Sequence, residues 1–328
     1  MEKKNVTVIF GGAGFIGKTL VDLLVNTSLN ILVIVDNLSN GKLAHLEQYL
    51  SSNRVYFFEK DCSIASECND IFLFSSSLGS VDSVWHLAAN SDIPSGTKNP
   101  NIDLKDTFFT TYNIVNGINN YNIKRLYFAS SSAIYGDFNG MPITEDAGPL
   151  LPISNYGAMK LASEAFISAA AEQSKFDAFL FRFPNVVGTP ATHGVIFDFC
   201  NKLIMNPLLL DVLGNGSQKK SYLHVSDLVD AMLYLALNLK DKGVFPINIG
   251  PLDDGVTVKW IAEEVVKFVS PTARIVYGSE SRGWVGDVPK FNYSIDKLIN
   301  LGWRPKLSSS QAVQRAIVEI AAQLNSIK

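Results

Sequence analysis

Val6-Thr7-Val8-Ile9-Phe10-Gly11-Gly12-Ala13-Gly14-Phe15-Ile16-Gly17 is the stretch on which the fold turns. An apolar, β-branched run stops at a cluster of glycines, and a segment of helical character begins near Phe15. That order predicts a buried strand, a tight turn and a helix start. The glycines let backbone approach a pyrophosphate, and the helix offers it free N–H groups and a positive dipole end. Gly17 lets the helix lie close to the strand. A second apolar run, Ile31-Leu32-Val33-Ile34-Val35, delivers Asp36 about twenty residues later, where a carboxylate accepts hydrogen bonds from an adenosine ribose and repels a 2′-phosphate. Asn37-Leu38-Ser39-Asn40 holds no cation, and Lys42 lies past the turn, so NAD is favoured over NADP. Glycines alone would mark only a turn; the flanking strands, helix and acid make them a dinucleotide site.

The chain around this stretch has 328 residues, 47% hydrophobic and 18% charged, enough for a large core and two lobes. A net charge of −3, with no basic run longer than Lys3-Lys4 or Lys219-Lys220, excludes a nucleic-acid footprint. Cys62, Cys68 and Cys200 have no paired spacing and no histidine cluster beside them, so neither a disulfide framework nor a metal site is expected. A reducing cytoplasm fits that usage. Glycines and Lys18 interrupt the apolar N-terminal run, and no stretch reaches the length of a membrane span.

Further strands are read at Val55-Tyr56-Phe57-Phe58, Ser83-Val84-Trp85-His86-Leu87, Arg125-Leu126-Tyr127-Phe128-Ala129 and Ala178-Phe179-Leu180-Phe181-Arg182, with helical patterns between them. The alternation predicts an α/β fold: a Rossmann-type doubly wound parallel sheet, with ligands beyond the carboxyl ends of its strands. After Pro184 the alternation fails, and a smaller, interleaved C-terminal substrate-binding lobe is expected. Asp227 to Leu239 reads as an amphipathic helix, and Pro246-Ile247-Asn248-Ile249-Gly250 as a strand rejoining the sheet. The expected division is 1–184 with 226–250 for the NAD-binding domain, and 185–225 with 251–328 for the second lobe.

Tyr156 and Lys160 stand four apart at the start of a predicted helix, hence on one face. A phenol works as a base only if its pKa falls from about 10 towards neutrality, which takes roughly 4 kcal/mol of phenolate stabilisation. Lys160 and an oxidised nicotinamide, both positive, could supply it. Tyr56…Lys60 and Tyr293…Lys297 share the spacing. The first pair lies along a strand, where such residues stand about 13 Å apart. The second opens a late, exposed helix away from the strand-end crevice. Tyr156 instead follows a strand exit carrying Ser130-Ser131-Ser132, which makes a Ser–Tyr–Lys set. His86 and His224 read as hydrogen-bonded core residues, His45 as a surface helix residue, and His193 as a turn residue able to touch ligand.

Gly11-Gly12-Ala13-Gly14-Phe15-Ile16-Gly17, Asp36-Asn37-Leu38-Ser39, His86-Leu87-Ala88-Ala89 and Tyr156…Lys160 together resemble the extended short-chain dehydrogenase/reductase superfamily. Ser130-Ser131-Ser132-Ala133-Ile134-Tyr135-Gly136, Arg182-Phe183-Pro184-Asn185-Val186-Val187-Gly188 and Arg282-Gly283-Trp284-Val285-Gly286-Asp287-Val288-Pro289 resemble its nucleotide-sugar epimerases, UDP-glucose 4-epimerases in particular. The resemblance implies Tyr156 as base, Lys160 as its electrostatic partner and nicotinamide-ribose anchor, and Ser131, with Ser132 beside it, as the hydroxyl on the reacting sugar oxygen. It implies a cofactor set of Gly11, Gly14, Phe15, Ile16, Gly17, Asp36 and Asn37, with Asp61 and Cys62 at the adenine and Leu87, Ala88, Ala89 and Phe183 completing it. Asn185, Lys220, Arg282 and Asp287 fall where relatives hold the nucleotide diphosphate, and a guanidinium fork suits a pyrophosphate.

The implied reaction is epimerisation of a UDP-sugar, UDP-glucose to UDP-galactose and back, through a transient 4-keto sugar with NAD retained. Phe291, four residues past Asp287, would gate bulky 2-substituents; a UDP-N-acetylhexosamine epimerase and a nucleotide-sugar reductase stay open beside it. A 4,6-dehydratase would need an Asp-Glu pair where Ser132 and Ala133 stand. A non-catalytic NAD-binding scaffold would show a damaged Tyr–Lys pair, and this pair is intact. The resemblance also implies a homodimer through helices spanning about Asp103 to Tyr121 and Ser154 to Gln173, and a place in galactose metabolism or surface-polysaccharide synthesis. Three departures stand out: Thr107 and Thr110 replace an Asn and a Gly common in relatives, and Lys220 replaces an Arg, giving a point charge instead of a fork.

Overall fold

Six strands lie between Asn5 and Arg182: β1 (Asn5–Phe10), β2 (Ile31–Asp36), β3 (Val55–Glu59), β4 (Ser80–His86), β5 (Arg125–Ala129) and β6 (Asp177–Arg182). The computed structural model describes residues 4–138, 143–240, 242–280 and 293–326. With the strand Val244–Asn248, these six form a seven-stranded sheet in the order Val244–Asn248, β6, β5, β4, β1, β2, β3. Neighbours from β6 to β3 run parallel. Every residue of β2 is buried, as a parallel strand covered on both faces requires. The chain winds outward through β2 and β3 on one side of β1 and through β4, β5 and β6 on the other, so its direction reverses between β1 and β4. In open α/β sheets ligands bind at such a reversal.

The flanking helices are α1 (Phe15–Thr27), α2 (Ala65–Leu78), the short α3 (Ile93–Lys98) and α4 (Pro100–Asp103), α5 (Thr110–Asn120) and α6 (Asn155–Ser174). Between α4 and α5 the helix widens to a π turn over Leu104–Phe109. This falls where Thr107 and Thr110 depart from the family pattern. Thr110 Oγ1 donates to the Thr107 and Asp106 carbonyls, and Thr111 Oγ1 to Thr107. Threonine hydroxyls that compete for helix carbonyls loosen the regular ladder. Val6, Val8 and Phe10 of β1 pack with Phe72 of α2, Ile114 and Ile118 of α5, and Leu126 and Phe128 of β5.

The chain forms two compact units, interleaved in sequence. The first comprises Met1–Ile134, Ser154–Arg182 and Leu235–Ile247; the second Tyr135–Ile153, Phe183–Tyr234 and Asn248–Lys328. The sequence placed 135–153 in the first unit, whereas its ties lie in the second. Gly136 bridges Leu151, Ile143 bridges Tyr293, Tyr135 Oη donates to Asn248 Oδ1 at 2.7 Å, and the Asn248 N–H donates to Glu145 at 2.8 Å. The second unit packs helices Val195–Met205, Val258–Val269 and Ser309–Ser326 around Phe199, Leu203, Ile261, Val265, Val313 and Ile317. Its strands pair two by two: Asn185–Val187 with Tyr222–His224, Lys219–Lys220 with Val256–Thr257, and Leu209–Val212 with Arg274–Tyr277.

Candidate functional site

Sheet register sets the site. Phe128, His86, Phe10 and Val35 pair in one row across β5, β4, β1 and β2. The chain therefore leaves these strands side by side: Ser130 to Ser132, Leu87 to Ala89, the glycine turn and Asp36 share one edge of the sheet. Gly11 has φ +79°, its N–H donates to the Val35 carbonyl at 2.8 Å, and a Cβ there would lie 2.6 Å from the Ala88 nitrogen. A Cβ on Gly17 would overlap the Gly11 carbonyl oxygen, which explains the close seat of α1 on the turn. Gly14 differs. It has an ordinary φ of −76°, and a Cβ there would meet only the Gly11 oxygen at 3.4 Å. No side chain caps α1, so its first N–H groups stay available to an anion. The protein itself has room for a side chain at 14, so the open space over the helix start is left for a ligand. The turn therefore fits a dinucleotide.

Asp36, 9% exposed, accepts from the Ala13 N–H at 3.0 Å and the Leu38 N–H at 2.9 Å. Burial pushes its carboxyl above the usual range against the pull of these backbone donors. Asn37 is exposed and caps its own turn at Ser39. His45, expected on a surface helix, instead lies in a 3₁₀ turn with Nδ1 3.0 Å from the Ala13 carbonyl. Asp61 follows β3; its carboxylate takes Ser63 and, at 2.9 Å, Lys105 Nζ from the π turn. Despite partial burial these donors hold its carboxyl below the usual range. Cys62 is buried, its thiol pushed up by desolvation, and its carbonyl accepts from Asn113 at 3.0 Å.

Ser154 caps α6 through Gly157 at 3.1 Å, and Tyr156, Lys160 and Glu164 then recur every four residues on one face. The Ser131 hydroxyl accepts from the Ala133 N–H at 3.1 Å, and its dipole bears on the Tyr156 phenol. Lys160, 2% exposed, donates from Nζ to the Ala129 carbonyl at 2.6 Å, with the ammonium 4.6 Å from the Phe128 ring centre and 5.8 Å from that of Tyr156. Neither group titrates as the sequence alone suggests. Desolvation pushes the half-buried Tyr156 up to about 12, with the Ser131 hydroxyl pulling down and the charge of Asp103 pushing up. Desolvation pushes Lys160 down to about 7, opposed by Glu164 and Asp103. A phenol ready to act as base is thus not made by protein groups alone; a cation at the reacting face has to bring it down.

Three charged residues at this centre escaped the sequence reading. Glu164 is buried and takes the Ser130 hydroxyl together with Arg182, whose Nη2 lies at 2.7 Å and Nε at 3.0 Å. The pair locks the Ser130 strand exit to α6 and β6, and the signal for it was the four-residue step from Lys160. Asp103 is fully buried and accepts from the Asn90 amide at 2.8 Å, its charge bearing on Tyr156 and Lys160, and it had no local signal at all. His86 is buried with Nε2 2.9 Å from Thr111 Oγ1, and burial holds its imidazole neutral.

Tyr56 packs edge-on against Phe74 along β3. Tyr293 lies in a β-bridge to Ile143, ahead of the helix Asp296–Asn300 that holds Lys297, so these two do not share a helix. In the second unit the Asn185 amide reaches the Ser221 carbonyl at 3.4 Å, and Lys220 lies in the strand beside it. Phe183 is buried, while His193 is exposed with Nδ1 against Thr192. His224 is buried between Ser226 and Glu319. Arg282, Asp287 and Phe291 lie outside the described residues.

The model of the NAD dependent epimerase/dehydratase family matches residues 7–250. The chain is similar to the crystal structure of a UDP-galactose 4-epimerase, at 33% identity and TM-score 0.83 over 97% of this chain and 99% of that one. It is also similar to the UDP-N-acetylglucosamine 4-epimerase of Methanobrevibacter ruminantium M1, determined in complex with UDP-N-acetylmuramic acid: 26% identity and TM-score 0.82, over 98% and 100% of the two chains. Among curated proteins it is 25% identical over 327 residues to the dTDP-4-dehydro-6-deoxyglucose reductase of Escherichia coli, covering 97% of this chain and 98% of that protein. Strand-end glycines, the acid closing β2 and the extent of the family match lead to one conclusion: the chain belongs to the NAD-dependent epimerase/dehydratase family, and its cofactor is NAD.

Proposed function

We propose that the protein interconverts UDP-glucose and UDP-galactose at C4. The observation that carries this reading is Lys160, with its ammonium 5.8 Å from the Tyr156 ring centre and bonded to the Ala129 carbonyl at the strand exit that carries Ser131, at the same sheet edge as the dinucleotide turn. Gly11, Gly14, Gly17 and the start of α1 would hold the NAD pyrophosphate, Asp36 and Asn37 the adenosine ribose, and Asp61 and Cys62 the adenine, with Lys160 on the nicotinamide ribose. Bound there, NAD supplies a hydride acceptor and donor and a positive ring. Tyr156 takes the proton of the sugar 4-hydroxyl and later returns it, while Ser131 and Ser132 orient the same oxygen. The transient 4-keto sugar turns over within the site, so each round ends with cofactor unchanged. Asn185, Lys220, Arg282 and Asp287 would hold the diphosphate and its ribose.

Phe291 would restrict the site to sugars with a plain 2-hydroxyl, and Phe291→Ser is expected to raise the rate on UDP-N-acetylgalactosamine relative to UDP-galactose. NMR of the purified protein with both sugars, and no nicotinamide beyond what copurifies, reads both claims at once. Conversion of UDP-galactose to UDP-glucose is the expected result; consumption of added NADH with a 4-keto sugar and no epimerisation would favour the reductase. We infer a homodimer through the π turn, α5 and α6, because Leu104, Phe109 and Tyr112 leave apolar surface exposed there. A cytoplasmic location fits three free, buried cysteines, and no helix among the described residues is long and apolar enough to cross a membrane.

A further inference from the structure

Leu38, two residues past Asp36, holds a left-handed backbone with φ +57°. For a bulky side chain that conformation is costly, and it persists only where the surrounding structure enforces it. It turns the Leu38 N–H back onto Asp36 Oδ1 at 2.9 Å, while the Ala13 N–H donates to Oδ2 at 3.0 Å. Backbone thus aims both oxygens, and a carboxylate with about four acceptor positions keeps about two of them for a ligand. What enforces the turn lies further along the chain. Gly41 is buried against it so closely that a Cβ there would stand 2.9 Å from both the Ala13 carbonyl carbon and Asp36 Oδ1. The Lys42 N–H reaches the Ala13 carbonyl oxygen at 3.4 Å, and the half-buried His45 places Nδ1 3.0 Å from the same oxygen. A carbonyl only accepts, so Nδ1 carries the proton of this hydrogen bond. Ala13 is therefore gripped on both sides, its N–H by Asp36 and its carbonyl by His45.

We propose that His45 is a positioning residue for the cofactor: its bond to the Ala13 carbonyl fastens the segment after β2 onto the glycine turn and so aims Asp36 at the adenosine ribose. The proposal rests on reading Asp36 as the acceptor of that ribose. The far end of the same segment is fastened separately, where Tyr49 Oη donates to Asp22 of α1 at 2.7 Å. That bond reaches the body of the helix and not the glycine turn. Loss of His45 would leave the Tyr49 end in place and release the stretch that forces Leu38 into its left-handed turn. The Asp36 carboxylate would then lose one of its two backbone donors and its fixed direction. A carboxylate held on the ribose is what repels a 2′-phosphate. Discrimination between NAD and NADP is therefore the property that His45 controls.

His45→Ala removes the donor, and His45→Asn keeps an amide donor near the place of Nδ1. Each full-length protein is equilibrated with equal excesses of NAD and NADP and desalted, and the retained dinucleotides are quantified by mass spectrometry. The expected ratio of NAD to NADP is about tenfold lower in His45→Ala than in wild type, the scale of one lost hydrogen bond, and close to wild type in His45→Asn. A ratio unmoved in His45→Ala, or lowered as far in His45→Asn, overturns the proposal. A merely structural role would lower the melting temperature and leave the ratio alone. Asp36→Ala tests the underlying reading: an unchanged ratio there sinks the ribose assignment and the proposal with it, whereas a fall there beside an unmoved His45→Ala overturns the proposal alone. If His45→Ala does not fold, nitrogen-15 NMR of the wild-type histidines decides, with His45 assigned by its loss in His45→Asn. Its neutral ring should carry the proton on Nδ1; a proton on Nε2 instead overturns the proposal.

Discussion

Tyr156 and Lys160 are each pushed towards neutrality of charge by burial, to about 12 and about 7, so the protein prepares a site whose working state depends on what binds beside it. Tyr156→Phe removes the proposed proton acceptor without disturbing the turn. It should lower turnover by about 10²–10⁴-fold, while NAD still copurifies; full turnover in that variant would remove Tyr156 from the mechanism. Lys160 also makes a prediction about stability. Its folded pKa is depressed from 10.5 to about 7, so the unfolded chain binds the extra proton between those values. The contribution of Lys160 to stability is therefore least favourable below about pH 7 and improves as pH rises towards 10. Against the pH-independent loss of the Ala129 hydrogen bond, the stability of Lys160→Met relative to wild type should improve from pH 10 to pH 6 by up to about 4 kcal/mol. Urea unfolding of both proteins at the two pH values measures the gap. A gap independent of pH would contradict the buried, partly neutral lysine.

At the scale of elements, the β1–turn–α1 unit separates glycines needed by the fold from a glycine needed by the ligand. Gly17→Ala drives a methyl into the Gly11 carbonyl and should destabilise the protein by about 2–4 kcal/mol, whether or not cofactor is present. Gly14→Ala should leave the melting temperature of cofactor-free protein nearly unchanged and weaken NAD at least tenfold, since the space its Cβ would take is closed by no protein atom nearer than 3.4 Å. Thermal melts with and without NAD distinguish the two. Equal losses in both variants would mean that the turn is built for packing alone.

Across the whole molecule, what could be read from sequence was what adjacent residues encode. The strand, glycine turn, helix and acid at 6–36 follow one another along the chain, and Tyr156 and Lys160 need only a helical period. The strand near 246 was read two residues late, running 244–248 instead of 246–250, because Pro246 reads as a boundary; on the edge of a sheet proline is tolerated inside a strand. Asp103 and the partners of Glu164 stayed hidden because their burial is set by segments brought together from α4, β5, α6 and β6, and no local pattern marks a charge that tertiary packing will cover. The same holds for 135–153, whose partners at 248 and 293 lie a hundred residues away and more. The exposed Leu104, Phe109 and Tyr112 predict assembly: sedimentation should report a dimer, and Phe109→Glu should shift it to monomer. A monomeric wild type at working concentration would remove that inference.

Epimerisation by oxidation and return at C4 is tested most directly by proton NMR of UDP-galactose turned over in D₂O, with only the cofactor that copurifies. The expected spectrum is UDP-glucose appearing with its C4 proton intact and no solvent deuterium on that carbon, because the hydride leaves and returns within one closed site. Deuterium at C4 would mean inversion through carbon deprotonation, and absence of UDP-glucose even with NAD added would mean a different reaction.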